Sequence, residues 1–470
     1  MCAYVALLGH RVGSKLSTGD IARDWTAPRQ AKYGSARLVG ATCERDAALA
    51  LPANQFATWL IMIGVFIPAS MTVFIGDSKF TPGRITIFLL LLPALVLLFR
   101  KGRHLVAPDY CICAASVWMI GATILTDRSS SISSSVAEVI EFSGSYVIAR
   151  AYFFGPRALQ SFVQVLKIIA IATIVCAALE HLSGSYLVNN TVAAIWGDPG
   201  AEPDYREGIL RARSTFPHPI LYGTFCTVAG AIFLYSEISR FGRIFYVGLC
   251  FVGCILAVSS APLISFAVAI SVYCYDCVMR LSWRWKLFTT VMGGMLLTVF
   301  LVANRPTSWL IANLTLDPST GYFRQATWDR ALFNIGLSPL TGYGFDAFGD
   351  PSEFFDHASI DSIWLVLAIR FGVPVVIFIL LASVTSFLQS KAHVRGADPY
   401  MNNMRTAFTL VLFIFALAGL TVHFWHSIWI FWGMCIGIRA SLRENSLILA
   451  DQKTAAIKPA WRGASSPSLG

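Results

Sequence analysis

FATWLIMIGVFIPASMTVFIG, residues 56–76, is apolar around the whole circumference of any helix it forms, and it carries no charge. Its length falls within the roughly 17–25 residues that cross a hydrocarbon core about 30 Å thick. Taken alone, such a block fits the core of a signal peptide, a buried helix or a membrane span. Repetition decides between them. Similar blocks lie near residues 84–99, 108–126, 135–154, 159–182, 217–236, 243–259, 262–279, 287–303, 360–388, 404–420 and 422–438. No soluble core holds a dozen helices that are apolar all round. The sequence therefore predicts an all-α integral membrane protein, a polytopic bundle of about twelve transmembrane helices. The fourth block is the least regular, because it contains Glu138, Glu141 and Arg150.

Composition agrees. Of 470 residues, 56% are hydrophobic and only 13% charged, against about 25% charged in an ordinary soluble protein. Residues 1–55 are polar and basic, so no cleavable signal peptide is expected ahead of the first block. A net charge of +10 raises the question of nucleic acid, but the basic residues sit between the apolar blocks, where they act as topology signals. With the N-terminus cytoplasmic, the short inner loops hold Arg100, Lys101, Arg103, Arg157, Arg240, Arg243, Arg280, Arg284, Lys286, Lys391, Arg395 and Arg405. The short outer loops hold Lys79, Arg84 and Arg128. This imbalance places both ends in the cytoplasm. Residues 1–55 are read as a disordered cytoplasmic tail, 56–440 as the membrane domain and 441–470 as a second cytoplasmic tail.

The 11 cysteines are scattered, mostly within apolar blocks. That pattern favours small buried thiols over a disulfide framework. Cys274 and Cys277 form a lone CxxC, with no second pair or histidine cluster to complete a metal site.

Two outer segments break the short-loop rule, about Ser183–Thr215 and Asn304–Ser359. Long outer loops are where a polytopic protein builds a site at the water interface. The first ends GILRARSTFPHPILYG, with Arg211 and Arg213 just before a helix and His218 held between two prolines. The second contains YFRQATWDRALFNIG, residues 322–336, a helix-like stretch on which Tyr322, Trp328 and Leu332 share an apolar side. It closes with FFDHASIDSIWLVLAIRFGVP, residues 354–374, where His357 and Asp361 are four apart. They share one face if the helix has begun there; Asp361 is alternatively a helix N-cap. Guanidinium groups suit a phosphate or pyrophosphate headgroup, because arginine is always charged and binds such oxygens in pairs. A histidine with a carboxylate beside it can deprotonate a hydroxyl acceptor. Neither loop has an aspartate-rich metal motif, so arginines would carry the leaving-group charge. Together these features fit transfer of a sugar from a lipid pyrophosphate. A lone loop arginine is also a common headgroup anchor, and His218 before Pro219 has a structural reading. Glu138, Glu141, Asp276 and Arg370 stand at membrane depth, where such groups are costly and often functional; an internal ion pair explains them equally, and they are left out of the expected site. They are also the hints toward a transporter or flippase, a reading weakened by the lack of an internal repeat. A sensor or scaffold without chemistry is a third reading.

These residues resemble a known family. RARSTFPHPILYG, residues 211–223, looks like the Arg-x-x-(Phe)-x-(His/Asn)-Pro signature of the bacterial O-antigen ligase and O-antigen polymerase superfamily. PLTGYGFDAF, residues 339–348, resembles its Pro-Leu-x-Gly-x-Gly-(Phe) segment, and DSIWLVLAIRFGVP, residues 361–374, its (His)-Asn-x-(aromatic)-Leu stretch with Gly372 eleven residues on. The likeness covers roughly residues 200–375. It implies a membrane glycosyltransferase, inverting and independent of metal or other cofactor, in the bacterial inner membrane. Its donor would be an undecaprenyl-pyrophosphate-linked glycan at the periplasmic face. The acceptor would be another repeat unit in a polymerase of surface or exopolysaccharide, or lipid A–core in a ligase. Membrane lipids, a chain-length regulator and a flippase are the implied partners, and nucleic acid is not. The resemblance carries pyrophosphate binding to Arg213 and Arg324, with Arg211 beside them, and substrate positioning to His218 and Tyr343. Where many members have His-Asn, this chain has Asp361-Ser362. His357 is therefore expected to act as base or acceptor ligand, oriented by Asp361.

Overall fold

The computed structural model describes residues 55–75, 78–126, 132–196, 202–279, 281, 283–303, 318–345, 360–388 and 398–462. The tail expected over residues 1–55 lies, but for Gln55, outside them. All twelve apolar blocks contain helix. In chain order the helices are α1 (Gln55–Phe66), α2 (Pro82–Leu98), α3 (Ala107–Thr126), α4 (Ile132–Val139), α5 (Ser145–Tyr152), α6 (Pro156–Ser183), α7 (Leu187–Trp196) and α8 (Pro219–Ser236). They continue as α9 (Arg240–Leu256), α10 (Ser260–Val278), α11 (Arg284–Val302), α12 (Pro318–Leu337), α13 (Ile363–Phe371), α14 (Val373–Phe387), α15 (Pro399–Ala418) and α16 (Ser427–Arg462). The strands among the described residues form two short antiparallel hairpins, β1–β2 (Val73–Ile75, Ser78–Phe80) and β3–β4 (Tyr205–Arg206, Ile209–Leu210).

The protein is an all-α membrane bundle. Helices α3, α6, α8, α10, α11 and α15 are long and apolar enough to cross a bilayer, and α1, α2 and α14 are apolar but shorter. α8 is buried almost all round and forms the centre, whereas α11 has no fully buried residue among those described and touches the core through Trp285 and Phe288. Large side chains on the outside of the bundle are leucine, isoleucine and phenylalanine, with Leu92, Leu125 and Leu301 each more than 70% exposed. Lipid, not water, suits such a surface.

Local chemistry explains most helix starts. Pro82, Pro156, Pro219 and Pro399 open α2, α6, α8 and α15, where a missing N–H costs nothing. Thr81, His218 and Asp398 cap three of these with side-chain acceptors. Close helix contact depends on glycine where α16 crosses the fourth block. A Cβ on Gly433 would lie 2.4 Å from the Phe142 carbonyl oxygen, and one on Gly437 would lie 2.5 Å from that of Tyr146. Small residues one turn apart let membrane helices approach to backbone contact.

Three expected elements differ. The first span is not one helix over 56–76; α1 stops at Phe66, ahead of Pro68, and the chain turns into the β1–β2 hairpin. Proline lacks the N–H that a continuing helix needs. The tenth span breaks at Gly372, φ +83°, between α13 and α14. The last helix starts at Ser427 and runs on to Arg462, so the residues from 441 to 462 are helix rather than loose tail. Leu442, Glu444, Ile448 and Ala450 are buried and hold it in the bundle. The first long outer loop, for which no element was expected, holds α7 and the β3–β4 hairpin.

Candidate functional site

Three concavities lie side by side at one end of the bundle, the end that gathers the turns after α1, α3, α6 and α15. The largest, about 640 Å³, is lined by Arg84 of α2, Glu138 of α4, Glu141, Phe345, Arg370 of α13, and the turn residues His423, Trp425 and His426. A second, about 230 Å³, is lined by His218, Ile220, Ile360, Asp361, Thr421, Val422, His423 and Trp425. A narrow cleft beyond it is lined by Arg324, Thr327, Trp328, Asp361 and Thr421. Asp361 and Thr421 belong to both of the smaller ones, and His423 and Trp425 to both of the larger. The row thus runs from Arg324 past Asp361 and His218 to Arg370.

The second and third motifs lock each other. The turn Pro339–Gly344 lies against the α13–α14 break: Val373 N donates to Pro339 O (2.8 Å), Tyr343 N to Ile369 O (2.7 Å) and Gly344 N to Arg370 O (3.0 Å). Trp118 of α3 donates to Leu340 O and Phe371 O, both at 3.1 Å. A Cβ on Gly342 would meet Ile369 O at 2.3 Å, and one on Gly372 would meet Leu340 O at 1.9 Å. Both glycines have positive φ, so each is required twice, by conformation and by space. The product of this clasp is the placement of Arg370, whose guanidinium lies 4.7 Å over the Phe345 ring.

In the first loop, His218 caps α8: its Nδ1 accepts from Ile220 N at 3.2 Å. That assigns the ring proton to Nε2. Burial, and then the Arg211 charge, push His218 down to about 4, so at neutral pH it is an uncharged donor in the wall of the second cavity. Arg211 pairs with Asp204 at 2.7 Å. Arg213 lies 4.1 Å over the Tyr186 ring and donates from Nη1 to Pro217 O at 3.3 Å. Its Nε is buried with no hydrogen-bond partner among the described residues. The backbone around it is fixed by buried Glu180, which accepts from Arg213 N (3.1 Å) and Ser214 N (2.8 Å). Arg213 lines none of the three concavities, but its charge acts on His218.

In the second loop, the expected helix is α12. Its buried side carries Arg324, Thr327, Ala331, Asn334 and Ile335, with Trp328 donating to Leu420 O at 3.1 Å. Leu332, expected on that side, is 42% exposed; the buried stripe follows residues three and four apart from Arg324 instead. Arg324 is 6% exposed, and neither Nε nor Nη1 finds a hydrogen bond among the described residues. Burial pushes it down from the usual arginine range, Asp361 pulls it up and Arg206 of the first loop pushes it down. A buried guanidinium with open N–H groups is costly, and an incoming anion relieves that cost.

Asp361 is not on a helix. α13 begins at Ile363, the N-cap position is Ser362, and the Ser362 hydroxyl donates to Gly419 O at 2.9 Å. The N-cap position expected of Asp361 therefore falls to Ser362, whose backbone is extended, and the helical face expected to be shared with His357 lies outside the described residues. His357 itself lies outside the described residues. The Tyr343 hydroxyl donates to Asn334 O at 2.9 Å, fastening its turn to α12, and Tyr343 lines none of the three concavities.

The structure thus brings Arg324, Asp361 and His218 to one row, with Arg211 and Arg213 beside His218. It adds residues left out of the expected site. Arg84 makes two hydrogen bonds to Glu141 Oε1 (3.0 and 2.9 Å), and Arg370 donates to Glu138 Oε1 at 2.6 Å. A π-helical turn at Ile140–Gly144 joins α4 to α5, and such turns are frequent at functional sites. His423 and His426 are pushed by burial, and then by arginine or lysine charge, down to about 3 and about 4. Charges at membrane depth were the signal for the two pairs; the run HFWH at 423–426 was the signal for the histidines.

The fold and this polar row define a many-helix membrane protein with an arginine-rich site at one end. Residues 245–380 match the family model described as O-Antigen ligase. The chain is therefore similar, over that segment, to the O-antigen ligase and polymerase superfamily that its motifs resemble. The match takes in the second and third motifs, Arg324 and Asp361, and stops short of Arg213. No curated protein matches the chain.

Proposed function

We propose that the protein polymerises undecaprenyl-pyrophosphate-linked oligosaccharide repeat units at the periplasmic face of the bacterial inner membrane, by inverting glycosyl transfer without a metal. Twelve spans with both termini cytoplasmic are part of this reading. The observation that carries it is the row in which Arg324 of the second loop meets His218 of the first across Asp361. Arg324 and Arg213 supply buried N–H groups for the pyrophosphate, and Arg211 adds charge beside His218. The acceptor hydroxyl attacks the anomeric carbon from the face opposite the pyrophosphate. Its proton passes to the pair formed by His357 and Asp361, and the bond from carbon to pyrophosphate oxygen breaks with its electrons leaving on the phosphate. Fixed donors aimed at that leaving oxygen do the work a divalent ion does elsewhere. Tyr343 and His218 position the substrate, Tyr343 through the turn it fastens.

Cells carrying Arg213→Ala or Arg324→Ala should keep the protein in the membrane and lose long polymer. Full-length polymer from both variants would defeat the mechanism. The family description favours a second reading, transfer of finished glycan to lipid A–core. Deletion separates the two: single repeat units persist without long chains if a polymerase is lost, and polymer accumulates on the lipid carrier if a ligase is lost.

A further inference from the structure

We propose that the 640 Å³ cavity is the subsite for the sugar residues of the acceptor glycan, held by the Arg84–Glu141 and Arg370–Glu138 pairs and by the Trp425 indole. This rests on the reading above and adds to it the place from which the attacking hydroxyl comes.

The chemistry of the wall is that of a carbohydrate site. Two guanidinium–carboxylate pairs offer planar donors and acceptors to adjacent hydroxyls. Glu141 uses Oε1 for Arg84, and Glu138 uses Oε1 for Arg370; each carboxylate has a second oxygen able to accept from a sugar hydroxyl. Trp425, in the same wall, presents an apolar face to the C–H side of a pyranose ring. The volume falls within the roughly 300–1,000 Å³ of small-molecule sites.

By charge, a pyrophosphate suits this cavity less well than it suits the other end of the row, where the cleft at Arg324 encloses about 10 Å³. Arg84 and Arg370 are each neutralised by a carboxylate within 3 Å. Arg213 and Arg324 form no such ion pair among the described residues. Placement agrees as well. His423 and Trp425 form the partition between the large cavity and the smaller one at Asp361 and His218. With the donor headgroup at Arg324, a hydroxyl reaching over that partition meets the anomeric carbon from the side away from the phosphate, as inversion requires.

The test uses full-length protein in nanodiscs and, as probe, the tritium-labelled repeat-unit oligosaccharide released by mild acid from the host's own lipid-linked pool. Equilibrium dialysis should show binding by the wild type. Binding should weaken at least tenfold in Ala137→Phe, which fills the cavity from its α4 wall, and in Glu138→Gln. It should be unchanged in Arg324→Ala. No binding by the wild type, or equal binding by Ala137→Phe with thermal unfolding matched to wild type, overturns the proposal. So does inorganic pyrophosphate binding that Ala137→Phe abolishes, because the cavity is then the anion site. Full-length polymer retained in both Arg213→Ala and Arg324→Ala, with oligosaccharide binding still lost in Ala137→Phe, sinks the proposed mechanism of transfer and leaves the sugar site standing.

Discussion

Arginine meets glutamate at both ends of the bundle, under opposite conditions. At the end away from the cavities, Arg150 is fully buried and makes hydrogen bonds to Asp109 (2.8 Å), Glu444 (2.6 Å) and the His104 carbonyl (3.1 Å). Arg103 binds both oxygens of Glu444 (2.8 and 2.9 Å), and the Tyr146 hydroxyl donates to Asp109. That network is closed on itself and ties α3, α5 and α16 together. From Trp429 to Glu444, about 22 Å along α16 at 1.5 Å per residue, the character changes. Arg84, Arg370, Glu138 and Glu141 open onto a cavity, and Arg324 keeps buried N–H groups with no protein acceptor among the described residues. A buried charge whose every partner is protein is a staple. A buried charge with capacity left over is a site awaiting an anion or a hydroxyl.

The comparison breaks most visibly at the closed end. Glu444→Ala strands two guanidinium groups in the interior, and removal of one partner from a buried pair costs about 3–5 kcal/mol. Folded protein should fall sharply, measured as the monodisperse fraction in detergent gel filtration. Wild-type behaviour of that variant would mean the cluster is wetter than its burial implies. At the open end the ordering reverses. Arg324→Ala should leave thermal stability unchanged or raised, since it removes an undersatisfied charge, while polymer falls by roughly 10²–10³ for a lost leaving-group donor. A melting temperature lowered as far as in Glu444→Ala would make Arg324 a staple too.

Between these lies the glycine clasp. Gly372→Ala puts a methyl 1.9 Å from Leu340 O at φ +83°. The α13–α14 break must then shift, at a cost of about 1–3 kcal/mol, and Arg370 moves with it. Polymer should be impaired in protein that still purifies. Unaltered polymer would mean that Arg370 placement does not matter.

Much of this was legible in advance. Each of the twelve apolar blocks contains helix, and proline marked where α2, α6, α8 and α15 begin. Of the two motif arginines, Arg324 lies in the narrow cleft beside Asp361, whereas Arg213 lines none of the three concavities. Other features were hidden for physical reasons. Nothing local to residues 360–388 reveals that Gly372 takes a positive φ against a carbonyl supplied by Leu340. Asp361 reads as helical until the Ser362 hydroxyl is seen bound to Gly419 O. The pairing of Arg370 with Glu138 spans 232 residues, and a charge at membrane depth looks the same whether it is a staple or lines a cavity. The difference lies in whether its partners are complete, which is a property of the packed bundle.

Acidity should separate the two ends by a graded shift spread over three histidines. Burial, with neighbouring arginine or lysine charge, holds His218 and His426 down to about 4 and His423 down to about 3, against about 6.5 in an unfolded chain. Between those values the unfolded state binds more protons, so stability rises with pH there. The contribution is complete above about pH 6.5 and is lost progressively as pH falls toward 4. Burial pushes Glu444 up, but Arg103 and Arg150 outweigh it and leave its carboxyl below the usual range. Its contribution is therefore present above about pH 4.5 and does not change from pH 7 to 5. Over that interval each of these histidines should lower stability, read as the wild-type melting temperature, by the equivalent of about 2 kcal/mol. A His218→Asn, His423→Asn, His426→Asn variant should show a flatter profile, whereas an Asp109→Asn variant, altered at the closed end, should keep the wild-type slope. Equal slopes in wild type and the triple variant would show that these imidazoles are solvated and that the cavity end is as open to protons as bulk water.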